Sequence, residues 1–158
     1  MRPADITTII FTLIVALTFQ LYPWYGNGII LRPDFLLVTT LYWILRAPNL
    51  CNVGVAWFAG LIVDLSTGSL LGQHALSFAL TAFFGLQYQR RIVLFNKWQL
   101  SAYVLTLFTM ERLIILVLKL FADHDGPGWT FMLPIITNLL LWQLLIVFFG
   151  APTRPKRG

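Results

Sequence analysis

Two places in this chain set ionisable side chains inside apolar sequence, and any chemistry would begin there. The first is Asp64, the one acid within CNVGVAWFAGLIVDLSTGSLLGQHAL (51–76). A carboxylate at lipid depth is costly and turns toward protein or water, so it serves either as a proton or substrate group or as a structural anchor. The anchor reading carries more weight. Ala56, Gly60, Asp64, Gly68 and Gly72 recur every four residues, which on a helix makes one small-residue face that a neighbouring helix can approach closely. Gly68 and Gly72 alternatively permit a turn where the helix ends. On that face Asp64 is placed to accept hydrogen bonds from a partner helix or a helix N-terminus. The second place is Glu111 and Arg112, adjacent in a long apolar stretch. Helical neighbours point about 100° apart, so these two are expected to find partners across a bundle. Structural contacts outweigh an ion route there.

No catalytic set accompanies these groups. Cys51 is the single cysteine, so neither an intrachain disulfide nor a cysteine metal site can form. His74 and His124 have no second ligand at a zinc spacing. Ser66, Ser69, Ser77 and Ser101 lie in no nucleophile motif, and no phosphate-binding glycine loop is present. The expectation is a protein that is not an enzyme and carries no metal and no cofactor.

The elements that hold these residues are membrane-like. Of 158 residues, 58% are hydrophobic and only 11% charged, against about a quarter charged in a soluble domain. The net charge of +5 comes from short basic clusters between apolar runs, without the recognition elements that nucleic acid would require. Six spans are expected at 6–22, 29–45, 53–70, 74–88, 98–118 and 129–149, forming one helical domain (1–150) with a short basic tail (151–158). Five spans is the alternative, because 53–70 and 74–88 are short and joined by few polar residues. Arg32, Pro33 and Asp34 interrupt the second span, with Arg32 expected to snorkel outward and Pro33 to occupy the first helical turn. Ala4, Thr8, Thr12, Ala16 and Gln20 form a second small-to-polar face, expected to meet another helix. Tyr22, Trp24, Tyr88, Trp98 and Trp129 stand near span ends, as interfacial aromatics do. With both termini inside, eight of the eleven basic residues fall on the cytoplasmic side, as the positive-inside bias requires.

The chain resembles the MreD family of rod shape-determining proteins along essentially its whole length. The residues that carry the resemblance are LYPW (21–24), LRPDF (31–35), YWIL (42–45), APN (47–49), VG (53–54) and GLIVDLSTGSLLG (60–72). Arg32, Pro33 and Asp34 fit the family's helix-start pattern. Asp64, Gly68 and Gly72 fit its central and most specific one. Thr67 stands where a small residue, often serine, is expected.

The resemblance implies an all-α integral membrane protein of the bacterial inner membrane. It implies a compact bundle similar to the substrate-binding subunits of energy-coupling-factor vitamin transporters. The implied work is non-enzymatic scaffolding of the elongation machinery, which maintains rod shape and organises lateral peptidoglycan synthesis. MreC is the first expected partner. MreB, RodZ, RodA and its transpeptidase partner follow directly or through MreC, and the small faces of the first and third spans are expected to hold the MreC helix. The basic 89–97 loop and tail suit anionic lipid or a cytoplasmic partner. The alternative function is a small-molecule-binding or transport subunit of the membrane.

Overall fold

The protein is described from a computed structural model that defines residues 5–23, 31–92, 94–123 and 128–152. The aromatic segment 24–30, His124 and residues 153–158 of the basic tail lie outside the described residues. Among those described, six α-helices form and no strand. They are α1 (Ile6–Leu21), α2 (Phe35–Arg46), α3 (Val53–Thr67), α4 (Gln73–Ile92), α5 (Lys97–Asp123) and α6 (Pro134–Phe149), the last preceded by a 3-10 turn, Trp129–Met132.

The centre of the bundle is α2, which packs against α1, α3, α4 and α6. Every residue from Leu36 to Leu45 is buried. A helix apolar on all sides belongs either in lipid or at the middle of a larger protein, and α2 takes the second place. Its 12 residues reach only about 18 Å at about 1.5 Å per residue. The described helix therefore begins six residues later than the expected 29–45 span. Pro33 lies one residue before the N-cap Asp34, outside the first turn that the sequence suggested. At the far end Pro48 disfavours helical backbone at Ala47, and Cys51 is buried in the turn that follows. Burial pushes the Cys51 thiol up to about 12.

Side-chain hydrogen bonds fix the neighbours of α2. Trp43 donates its Nε1–H to Thr12 Oγ1 on α1 at 2.8 Å. Tyr42 donates its hydroxyl to the Gly150 carbonyl at 2.8 Å, and Arg46 donates to Tyr42 Oη at 2.6 Å and to the Phe149 carbonyl. This clamp joins the C-terminal ends of α2 and α6. Between α4 and α5 the Tyr103 hydroxyl donates to the Phe84 carbonyl at 2.8 Å. Thr12 is engaged, and Ala16 and Gln20 are buried, so the small-to-polar face of α1 is spent within the chain. The side of α1 that remains open carries Ile10, Phe11, Ile14 and Phe19.

Helix ends follow local chemistry. The Asn52 side chain caps α3, accepting from the Gly54 and Val55 amides at 3.0 and 3.3 Å. Gly68 stops α3 in the left-handed conformation, φ +63°, and Gly72 follows at φ +97°. The 53–70 and 74–88 segments are thus two helices joined by a tight turn. The four-residue spacing continues through Gly68 and Gly72 in sequence but not along a helix face.

Large apolar side chains stand exposed along the helices, among them Phe58, Leu65, Phe121, Leu140 and Val147. Trp129–Phe149 is long and apolar enough to cross a bilayer. By contrast α1, α2 and α3 are apolar but have only 16, 12 and 15 residues. Tyr22, Trp98 and Trp129 are exposed at element ends, where interfacial aromatics sit.

Candidate functional site

Asp64 lies in the last turn of α3, and α4 begins at Gln73. The turn between them folds the start of α4 back over the carboxylate. Asp64 Oδ1 accepts from Ser69 Oγ (3.0 Å), the His74 amide (2.9 Å) and His74 Nδ1 (2.8 Å). Oδ2 accepts from the Gly72 amide (2.9 Å) and the Ala75 amide (3.2 Å). The carboxylate satisfies amides at the N-terminus of α4 that have no intrahelical acceptor, and the helix dipole favours its charge. Asp64 is an anchor that joins two helices.

Ser69, His74 and Asp64 are residue types of a nucleophilic triad, but their geometry is not that of one. Both Asp64 Oδ1 and Ser69 Oγ approach the same ring nitrogen, Nδ1, at 2.8 and 3.4 Å. Activation of a serine needs the hydroxyl on one ring nitrogen and the acid on the other. Here the Ser69 hydroxyl donates a hydrogen bond to Asp64, and His74 Nδ1 donates to the same carboxylate oxygen.

Gly60, one turn before Asp64, completes the joint. A Cβ placed there would lie 2.4 Å from the His74 carbonyl oxygen and 2.6 Å from Ala75 Cα. Both are backbone atoms and neither can rotate away. The small face of Ala56, Gly60 and Asp64 is therefore filled by α4, where the sequence reading assigned it to a partner helix. Gly60→Ala is expected to destabilise the fold by about 1–3 kcal/mol through overpacking. Gly68→Ala meets open space and costs only the left-handed backbone penalty, about 1–2 kcal/mol. Unfolding curves in mixed detergent check the order, and a Gly60→Ala protein as stable as the parent would remove the close-contact argument.

A second cluster ties α2, α5 and α6 together. Asp34, at the start of α2, forms an ion pair with Arg112 of α5 through its Oδ2. The same oxygen accepts from Asn138 Nδ2 at 3.2 Å, and Asn138 Oδ1 accepts from the Asp34 amide at 2.7 Å. Glu111 is fully buried, with Oε2 3.5 Å from Arg112 Nε and no hydrogen bond to either carboxyl oxygen. Arg112 thus finds its main partner across the bundle, as expected. It also stands beside its sequence neighbour, which helical geometry alone did not require.

The two clusters face one cavity of about 470 Å³. It lies where α1, α3 and α5 end and α2, α4 and α6 begin. Gln20, Arg32, His74, Arg112, Lys119 and Phe131 contribute to its wall. Arg32, expected to snorkel outward, is half-buried in this wall at the end of the bundle. Lys119 Nζ and Arg112 Cζ lie 5.0 and 5.3 Å from the centre of the Phe131 ring.

Of the residues singled out in the sequence, Asp34, Arg32 and Arg112 meet here. Asp64 reaches the cavity through His74, and Glu111 lies behind Arg112. Pro33, Gly60, Gly68 and Gly72 shape the backbone around them. Sequence reasoning discounted His74 and did not single out Asn138 or Lys119 as site residues. An asparagine within the apolar 129–149 run was the available signal for Asn138.

Comparisons with known proteins agree with the resemblance. The rod shape-determining protein MreD of Haemophilus influenzae is 28% identical over 135 residues, covering 85% of this chain and 83% of that protein. No solved structure matches the chain. The profile of the family described as rod shape-determining protein MreD matches residues 4–151, nearly the full length. The chain belongs to the MreD family.

Proposed function

We propose that this protein is a non-enzymatic membrane scaffold of the bacterial elongation machinery. It binds MreC, and through MreC or directly it meets MreB, RodZ, RodA and the RodA transpeptidase partner, so that lateral peptidoglycan synthesis keeps the cell rod-shaped. The observation that carries this reading is the family match over residues 4–151. Six crossings of the inner membrane with both termini cytoplasmic fit the up-and-down order of the helices. In that orientation the cavity lies at the outer face, and the Arg46 clamp lies at the inner one.

Lateral contacts within the bilayer suit a chain whose described links between helices are short. The small faces of α1 and α3 are occupied within the chain, so the surface for MreC must be another. Between α1, α2 and α3 runs an apolar groove of about 190 Å³, lined by Ile10, Leu13, Ile14, Val55, Phe58 and Ile62 among others. It runs alongside two helices and suits the apolar stripe of a third, here the membrane helix of MreC.

A photo-crosslinking residue at position 14 or 58 in living cells is expected to capture MreC several-fold more than one at position 147 on α6. Capture of no elongation component from any position, with the protein at normal membrane levels, would overturn the scaffold reading. Capture of MreC from position 147 alone would move the contact to α6.

A further inference from the structure

We propose that the cavity at the outer end of the bundle binds a phosphate-bearing, hydroxyl-rich group, carried either by a lipid headgroup or by a small soluble ester. The distribution of charge points to it. Eight of the eleven basic residues fall in the two terminal segments and at 46, 90, 91 and 97, and among the described residues Arg46 and Arg91 stand at helix ends remote from the cavity. The other three, Arg32, Arg112 and Lys119, all line it. Cations at this end run against the positive-inside bias, and the bundle gathers all of them around one space.

These three cations are not equally neutralised. Arg112 has Asp34 as its ion-pair partner and Glu111 beside it. Among the described residues no acid pairs with Arg32 or Lys119. Arg32 Nε is buried and has no hydrogen-bond partner, and Lys119 rests against Phe131. Two described acids at this end are already engaged: Asp34 by Arg112 and Asn138, and Asp64 by the α4 amides, Ser69 and His74. Among the described residues, two cations without an acid partner therefore line the cavity. A buried guanidinium N–H without an acceptor is costly, and a ligand oxygen would satisfy it.

Gln20 adds a second, independent sign. Gln20 lines the cavity and is only 3% exposed, and its Oε1 is buried without a hydrogen-bond partner. That amide oxygen can accept from a ligand hydroxyl. Thr67, Ser69 and Thr130 also line the space, while Val63 and Pro134 supply an apolar side for ester carbons. Arginine presents a fork of donors to phosphate oxygens and lysine a point charge. Together they suit a phosphoryl group better than a monoanionic carboxylate. The volume falls within the range of small-molecule sites, about 300–1,000 Å³.

The test uses the full-length protein in phosphatidylcholine nanodiscs. Inorganic phosphate and glycerol 3-phosphate are titrated against acetate and chloride at fixed ionic strength, with tryptophan fluorescence reporting the unfolding midpoint. In a second arm the discs contain phosphatidylglycerol, and native mass spectrometry counts the lipid retained per chain. The expected result is a saturable rise in midpoint with the phosphate probes, or one retained phosphatidylglycerol. The first alone assigns a soluble ester and the second alone a lipid headgroup.

Arg32→Gln and Lys119→Gln should each weaken the effect by at least about tenfold, while Lys119→Arg holds it within a few-fold. Should Arg32→Gln fail to fold, Lys119→Gln decides the matter, because that half-buried side chain makes no hydrogen bond or ion pair among the described residues. Absence of binding in both arms, or binding unchanged in Lys119→Gln, overturns the proposal. Neither outcome bears on the α1–α3 groove, so the scaffold reading stands or falls separately.

Discussion

Asp64→Asn is expected to destabilise the protein strongly, and Asp64→Leu more strongly still. The reasoning starts from the partners: Ser69 Oγ, His74 Nδ1 and the amides of Gly72, His74 and Ala75 are all donors. A carboxylate accepts on both oxygens. An asparagine keeps one acceptor and turns an NH2 group toward N–H groups that already need an acceptor. With the amide oxygen at the Oδ1 position, the Gly72 and Ala75 amides lose their acceptor; with it at Oδ2, Ser69 and His74 lose theirs. Each buried donor left unsatisfied costs about 1–3 kcal/mol, so the two stranded in the better Asn orientation cost about 2–6 kcal/mol, and Leu, which strands all five, costs more. The usual expectation that an amide preserves hydrogen bonding fails here, because every neighbour is a donor. Unfolding in mixed detergent checks this directly, and an Asn variant within about 0.5 kcal/mol of the parent, inside the ordinary scatter of surface changes, would sink it. In cells both variants should lower the membrane level and round the cells. Rounding at normal protein levels would instead assign Asp64 a role beyond anchoring.

Much of this site could be read in the sequence, and what could not has particular physical causes. Asp64 stood out because an acid inside apolar sequence needs partners, and a helix N-terminus was already one of the partners named. Gly68 and Gly72 share its spacing, yet they lie past the helix end at φ +63° and +97°. A period of four does not reveal where a helix stops. His74 was discounted because ligand spacings test local sequence, whereas the turn after Gly68 brings it ten residues back to Asp64. The pairing of Arg112 with Asp34 spans 78 residues, so only the packing of α5 on α6 and of α6 on α2 could show it. α2 read as a span because it is apolar throughout. Its place at the centre follows from neighbours on several sides, which composition cannot express. Arg32 was assigned to the interface by the snorkelling habit of arginine, and the cavity beside it supplied other polar surroundings.

Arg112→Met is expected to destabilise the bundle by about 3–5 kcal/mol, the range for removing one partner of a buried ion pair. Its guanidinium serves Asp34 on α2 and stands beside Glu111, so its loss strands two buried acids. Asp34→Asn should be milder. Arg112 then retains Glu111, and the backbone amide at position 34 retains its bond to Asn138, which the side-chain change leaves in place. The order Arg112→Met worse than Asp34→Asn follows from which residue is shared. Adding Glu111→Gln to Arg112→Met tests the sharing: recovery of about 1–2 kcal/mol is expected, within the usual coupling of residues in one network. Absence of recovery would mean that Glu111 carries no charge for Arg112 to neutralise, and would leave Asp34 as its sole electrostatic partner. An Arg112→Met protein that unfolds with the parent would remove the ion pair as a support of the fold. Because Asp34, Arg112 and Asn138 join the first turn of α2 to α5 and α6, the damage should begin at the cavity end. Hydrogen exchange should therefore rise first at the amides of 35–38 and 135–138, ahead of the Tyr42–Gly150 clamp at the other end. Exchange rising evenly along α2 would instead describe a bundle that opens as one unit.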